Sequence, residues 1–444
     1  MANREKKPEI LPMHIILLIP AAIIVVGLVF KLFALAVGAI FPEGLFHRPE
    51  ETTPSETTVA TDPPGPTLIA TATLGAQGDM LMHKPIFNTG AVCNLGDGSY
   101  DFSSIFRYMG DYSGELNYMV ANLETTFGGD DYPYQGNPSF NCPDSLLDAL
   151  KAAGYDMLLT ANNHSNDTLM HGIERTLKRT REEGLATLGT RLDGEERYTV
   201  VDINGIQVGM VCYTYAAEIR NGKPSLNFNT PVSDPERINY FTTTDLDSFY
   251  AEAEDVIADM RSAGAEATVF YIHWGVEYEI MQNSAQDSMA QELCDMGVDV
   301  IIGGHPHVVQ PVELLTGTTD ANHKTVCIYS LGNAVSNQRI AEMNMKTGHT
   351  EDGVLFTVSF EKYSDGTVCI GGADVLPTWV NLHSANGGKE YNILPLDAAT
   401  LDQWQTLYNL TDAQYTAAKD SYARTMDIVG EGMQQVKDWL AEEN

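Results

Sequence analysis

Positive charge is scarce in this sequence. Lys and Arg number 26 against 60 Asp and Glu, for a formal net charge of −34. Nucleic-acid binding needs Lys and Arg to neutralise phosphates, so the charge balance excludes it, and docking on anionic lipid is disfavoured for the same reason. What it suits is solubility, or attraction of cations, including divalent metals. Cysteines are few and spread out, six in 444 residues, with no C-x-x-C pair. There is no Gly-x-Ser-x-Gly elbow, no nucleotide-binding glycine loop, no His-Glu-x-x-His and no evident Ser-His-Asp arrangement. The serine-hydrolase, dinucleotide-binding and zincin readings go with them. No internal repeat is present.

The rest of the composition, 43% hydrophobic and 9% aromatic, is that of a chain able to bury a sizeable core in one large domain or two ordinary ones. Ile10 to Phe30 is an uncharged run of about 21 residues, enough to cross a bilayer core at ~1.5 Å per residue. A second apolar stretch, Leu32 to Phe41, follows Lys31. Arg4, Lys6 and Lys7 precede the run, so the positive-inside rule places residues 1–9 in the cytoplasm. Residues 10–41 read as an uncleaved, single-pass signal anchor in the cell membrane, with the remainder outside the cell. Residues 48–67 are rich in Thr, Pro and Glu and read as a linker holding the domain off the membrane.

Order is expected to begin at Leu68, where an apolar strand runs to Gly78-Asp79. Strands are expected at Leu116–Asn122, Asp156–Ala161, Ala267–His273, Val298–Ile302, Val326–Leu331, Val354–Phe360 and Thr367–Val375. Tyr198–Ile203 and Gln207–Tyr215 read as a hairpin around Asn204-Gly205. Helices are expected at Asp144–Ala153, Leu169–Glu183, Asp245–Ala263 and Ala285–Met296, and helical composition over Thr411–Glu443 is interrupted by Gly430 and Gly432. Early alternation followed by strand pairs predicts an α/β (α+β) sandwich with mixed sheets over residues 68–380, and a helical extension, 381–444, packed on it. Cys212, Cys327 and Cys369 sit in apolar strand-like runs and read as buried thiols. Cys93 and Cys142 fall in loop-like sequence, which permits a disulfide between them.

Polar clusters recur just after apolar strands, the edge where open α/β sheets gather ligands. They are Gly78-Asp79, Asn122-Leu123-Glu124, Asn162-Asn163-His164, His273-Trp274-Gly275 and Gly303-Gly304-His305-Pro306-His307. A mixed set of His, carboxylate and Asn suits divalent Mn, Fe, Zn or Co, one ion or two. Each element alone is unremarkable, since Gly-Asp is often a turn and His273 could be a core histidine; the weight lies in their conjunction. His305 and His307 would face opposite ways on extended chain, so joint ligation requires an irregular turn.

These motifs, with Asp167, His273-Trp274-Gly275-Val276-Glu277-Tyr278, Gly304 to Gln310 and Ser330-Leu331-Gly332-Asn333, resemble the series of the CapA family, the poly-gamma-glutamate capsule synthesis proteins. That family in turn resembles the calcineurin-like metallophosphoesterases. The resemblance covers roughly Leu68 to Val375. It implies a sandwich of two mixed sheets flanked by helices, and a divalent-metal hydrolase of phosphoester type or a non-catalytic accessory of a polyglutamate synthase. It implies metal ligation by Asp79, Glu124, Asn163, His273, His305 and His307, with His164 as proton donor. Asp167 then either orients His164 or N-caps the next helix. Lys84 is a candidate contact for an anionic substrate. Glu277 and Tyr278 line the cleft or finish strand packing, and Asn333 is a pocket hydrogen-bonder or a turn residue. The implied partners are an anionic substrate or envelope polymer, and membrane subunits of a synthase. One departure stands out: the phosphoesterase histidine two places after the first aspartate is Leu81 here. His83 is the nearest substitute, or else a solvated loop residue.

Overall fold

The computed structural model describes residues 65–227 and 230–443. The expected cytoplasmic segment, the anchor at 10–41 and the linker as far as residue 64 lie outside the described residues. Among the described residues no helix is long and apolar enough to cross a membrane. Residues 65–444 form one compact unit.

In chain order the strands are β1 (Leu68–Met80), β2 (Tyr118–Asn122), β3 (Met157–Leu159), β4 (Ala186–Leu188), β5 (Tyr198–Ile203), β6 (Ile206–Tyr215), β7 (Glu218–Arg220), β8 (Lys223–Ser225) and β9 (Tyr240–Phe241). Then follow β10 (Ala267–His273), β11 (Val300–Gly304), β12 (Val312–Thr316), β13 (Lys324–Ile328), β14 (Asn333–Val335), β15 (Asp352–Tyr363), β16 (Val368–Ala385) and β17 (Gly388–Pro395). The longer helices are α1 (Ser145–Ala152), α2 (Leu169–Glu182), α3 (Leu246–Ser262), α4 (Ser284–Asp295) and α5 (Asp412–Glu443). An eight-stranded sheet runs β17-β16-β15-β1-β2-β3-β4, with β14 also on β1. A seven-stranded sheet runs β12-β13-β11-β10-β6-β5, with β9 on β6.

Strand periodicity decides which residues meet. Along β10, Ala267, Val269 and Tyr271 join the core between the sheets, while Phe270 and Ile272 pack with α3 and α4 on the opposite side. The inner core also takes Leu74 and Ala76 of β1, Val208 and Met210 of β6, Val300 and Ile302 of β11, and Phe356 and Val358 of β15. In each sheet the central strands run parallel: β1 with β2, β2 with β3, β6 with β10, β10 with β11 and β11 with β13. Their C-terminal ends therefore share a sheet edge, and the polar clusters sit on those ends.

The C-terminal region departs from expectation. The eight-stranded sheet continues through Pro395, so residue 380 is not its limit. β16 and β17 turn at Asn386-Gly387, both in the left-handed region. Helix α5 runs unbroken past Gly430 and Gly432. Val429, Met433, Val436 and Leu440 recur at helical spacing and enter the inner core. A Cβ on Gly432 would lie 1.8 Å from the Val312 carbonyl oxygen, so this glycine allows close approach to β12 rather than breaking the helix. Arg424 donates to Asp352 from Nη2 and Nε, at 2.8 and 2.9 Å, and Ser421 adds a hydroxyl at 2.6 Å.

The cysteines need two corrections. Cys93 and Cys142 are free thiols buried in one apolar cluster, not joined as a disulfide. Burial pushes the Cys93 thiol up to about 11. Cys369 lies on a strand as expected but is exposed, because β16 turns that side chain to solvent.

Candidate metal centre

Asp79 is the penultimate residue of β1, Glu124 follows β2, Asn163 and His164 follow β3, His273 ends β10, and His305 and His307 follow β11. All are buried. The close approach of chain segments begins at Gly78, where a Cβ would meet the Gly332 carbonyl oxygen at 1.9 Å. The irregular turn needed for both histidines is present: His305 and His307 have φ of 97° and 57°, a region that non-glycine residues adopt rarely.

The donor atoms converge. His307 Nδ1 is 3.0 Å from Asp79 Oδ2, and its Nε2 is 3.8 Å from Glu124 Oε1. His273 Nε2 lies 3.6 Å from Glu124 Oε1 and 2.9 Å from Asn163 Oδ1. Asp79, Glu124 and His307 form one group whose ligand atoms all lie within 4.8 Å of one another; Glu124, His273 and His305 form a second. Such separations suit donors around an ion held by bonds of about 2.0–2.2 Å. Two buried atoms in this cluster, Glu124 Oε1 and His305 Nδ1, have no hydrogen-bond partner. Buried polar atoms are rarely left unsatisfied, so the donor set fits a divalent metal.

The electrostatics agree. Burial, then Asp79 and Glu277, holds the Glu124 carboxyl well above the usual range. Burial and neighbouring histidines hold His273 and His305 well below theirs. Neutral imidazole is the ligating form, and a cation would restore Glu124 to its carboxylate.

A network fixes the donors. Asn122 Nδ2 donates to Asp79 Oδ1 at 2.7 Å, and Asn162 Nδ2 donates to Asn122 Oδ1 at 3.0 Å. His164 belongs to none of the three His and acid groups found among the described residues. Its Nδ1 meets Asp167 Oδ2 at 2.7 Å, and the Phe140 N–H donates to the same oxygen at 2.6 Å. The N-cap of α2 is Thr168, so Asp167 orients His164 rather than capping. The edge-on Phe140 ring packs 4.6 Å from that of His164.

Glu277 and Tyr278 are exposed on the loop after β10, beside His305 and His307. Lys84 is exposed and occupied elsewhere, donating to the Tyr134 carbonyl and lying over the Phe87 ring. Asn333 is fully buried, with its amide donating to the carbonyls of His307 at 3.1 Å and Thr350 at 2.9 Å. It supports the His307 turn from beneath. Leu81 is buried and brings no donor. His83 is not a solvated loop residue: it is buried, its Nε2 lacks a partner, and its ring packs edge-on against Phe140 at 5.2 Å.

Burial lowers His83 from 6.5 to about 4. Between those values the unfolded chain binds the extra proton, so stability rises with pH across that window and is lost on acidification. The contribution is roughly 3 kcal/mol at 1.36 kcal/mol per unit. His83→Gln is expected to flatten denaturant-measured stability between pH 6.5 and 4 relative to the unaltered chain. Parallel pH curves would count against it.

Tyr215, at the end of β6, was not among the sequence candidates. Its ring lies 4.8 Å from that of His305 and parallel to that of His273 at 6.5 Å. The strand-end rule that found His273 would have found it, since β6 runs parallel beside β10.

The family model described as bacterial capsule synthesis protein PGA_cap matches residues 73–338. The chain is 28% identical over 289 residues to a Bacillus anthracis protein named capsule biosynthesis protein CapA, covering 63% of this chain and 62% of that one. It is 26% identical over 242 residues to PGA biosynthesis protein CapA of Bacillus subtilis (strain 168), covering 53% and 57%. The matches thus span less than two thirds of these curated relatives. Among solved structures, Haemophilus influenzae NAD nucleotidase (NadN) aligns over 84% of this chain and 68% of its own at 10% identity and a TM-score of 0.43. That likeness is too distant to bear on the site.

Proposed function

Because this chain belongs to the bacterial capsule synthesis protein PGA_cap family, we propose that it is a divalent-metal-dependent hydrolase, of phosphoester type, serving capsule or poly-gamma-glutamate synthesis. The observation that carries the reading is the convergence of Asp79, Glu124, His273, His305 and His307, with two buried donor atoms left unpartnered. Asn163, against His273, completes the donor set.

When bound, the metal supplies Lewis-acid stabilisation of charge on a phosphoryl oxygen and acidifies a water. The chain's own residues do the rest. Asp79, Glu124, Asn163, His273, His305 and His307 would hold the cation, and Asn122 holds two of these carboxylates in place. His164 gives a proton from Nε2 to the leaving-group oxygen, while Asp167 fixes Nδ1 and with it the ring's direction. Phe140 walls one side of that ring. The substrate is an anionic ester or envelope polymer. The site acts outside the cell, tethered through residues 10–41, with membrane subunits of a polyglutamate synthase as partners.

The test uses the full chain in detergent, with Mn, Co or Zn added and activated phosphoesters as substrates. Metal-dependent hydrolysis, lost with chelator and restored by metal, is expected. Binding of metal and polyglutamate without hydrolysis of any ester would instead favour an accessory that holds the polymer. The absent donor at Leu81 points that way; the net charge of −34 opposes it, because an acidic surface repels an acidic chain.

A further inference from the structure

A third donor group lies at the mouth of the same site. One carboxylate oxygen of Glu277, a nitrogen of His305 and a nitrogen of His307 lie within 4.8 Å of one another. We propose that Glu277 is a metal ligand: with His305 and His307 it binds a divalent cation at the mouth, supplying the donor that Leu81 does not. This rests on the metal-centre reading above and deepens it.

The donor chemistry is suitable. Two imidazoles and a carboxylate would leave a coordination position open, the pattern of catalytic rather than structural sites. Glu277 is exposed while both histidines are buried, so the carboxylate would cap the ion from the side a substrate approaches. His305, whose buried Nδ1 has no hydrogen-bond partner, belongs to this group as well as to the inner one.

The charge pattern calls for a cation. Asp79 and Glu124 share one donor group with His307, Glu277 shares another with His305 and His307, and the ion-pair contacts of Glu124 are His273 and His307. No Lys or Arg is paired with Glu124 among the described residues. Three carboxylates gathered with little compensating charge repel one another unless a metal sits among them.

Glu277 is also held in position. Trp274 N–H donates to the Gly304 carbonyl at 3.1 Å, and Tyr278 N–H donates to the Pro306 carbonyl at 2.8 Å. The loop after β10 is thereby stitched to the histidine turn after β11. Gln310, fully buried, donates to the carbonyls of Glu279 at 2.8 Å and Met281 at 3.1 Å, and accepts from Gln286 at 2.9 Å. Tyr278, at φ 69°, joins His305 and His307 in the left-handed region. Three strained non-glycine residues around one point indicate a geometry kept for what it places there. A carboxylate meant only to face solvent would need none of this.

The experiment titrates metal-stripped full chain with Co(II) or Mn(II), following heat and, for Co(II), the visible absorption of the ligand field. Glu277→Gln preserves size and removes the charge. It is expected to weaken one binding step by roughly 10–100-fold, the scale seen when a metal site's supporting carboxylates are removed, and to change the Co(II) spectrum. Circular dichroism of the stripped variant should match that of the unaltered chain, because Glu277 is exposed. Unchanged stoichiometry, affinity and spectrum in Glu277→Gln would overturn the proposal and leave the inner site standing. Absence of metal binding by the unaltered chain would overturn the metal-centre reading itself.

Discussion

His164→Ala is expected to leave bound metal nearly intact while lowering turnover of a phosphoester with a poor leaving group by roughly 10²–10⁴-fold, the usual worth of a general acid. The geometry motivates both halves. His164 belongs to none of the three donor groups found among the described residues, and its Nδ1 is taken by Asp167. The loss should shrink for esters with good leaving groups, which need less protonation. Asn163→Ala, one residue earlier, should lose metal and activity together, because its Oδ1 lies 2.9 Å from His273 Nε2 among the donors. Elemental analysis beside a leaving-group series reads both outcomes. A His164→Ala protein that loses metal in step with activity would make His164 a ligand.

Replacing His305 and His307 together with Ala should remove most of the bound metal and with it metal-dependent hydrolysis. Each histidine belongs to two of the three donor groups, and every group contains at least one of them. The remaining donors, Asp79, Glu124, Asn163, His273 and Glu277, then include none of the three His and acid groups found among the described residues. Far-ultraviolet circular dichroism of the stripped proteins separates loss of ligands from loss of fold. Metal content equal to that of the unaltered chain would end the metal-centre hypothesis for this cleft.

Much of this is legible in the sequence. The strand expected at Ala267–His273 matches to the residue, because β-branched and aromatic residues fill Thr268 to Ile272 between Glu266 and the turn at Gly275. The hairpin at Asn204-Gly205 was legible for a local reason, since both residues adopt positive φ there. The same signal at Asn386-Gly387 went unread, and with it β17 and the true extent of the sheet. β12 and β14 are short, and their strand character comes from pairing with β13 and β1 rather than from local pattern. The glycines of α5 misled because propensity counts Gly432 as a breaker, while the Val312 backbone beside it requires the space.

The sequence by itself determined the parallel-strand logic of the core and the residue types of the site. Apolar runs must be buried, turn residues must follow them, and the polar residues just past each run must then gather at the C-terminal edges of the sheets. Tertiary structure alone decided the roles. It sent Lys84 to the Tyr134 carbonyl and Asn333 beneath the His307 turn. It buried His83, assigned Asp167 to His164, and brought Tyr215 beside His305. It also carried Glu277 to His305 and His307. These are contacts between residues far apart in the chain or held in left-handed backbone. Their distances depend on how two sheets pack and how two loops are stitched, which no local pattern encodes.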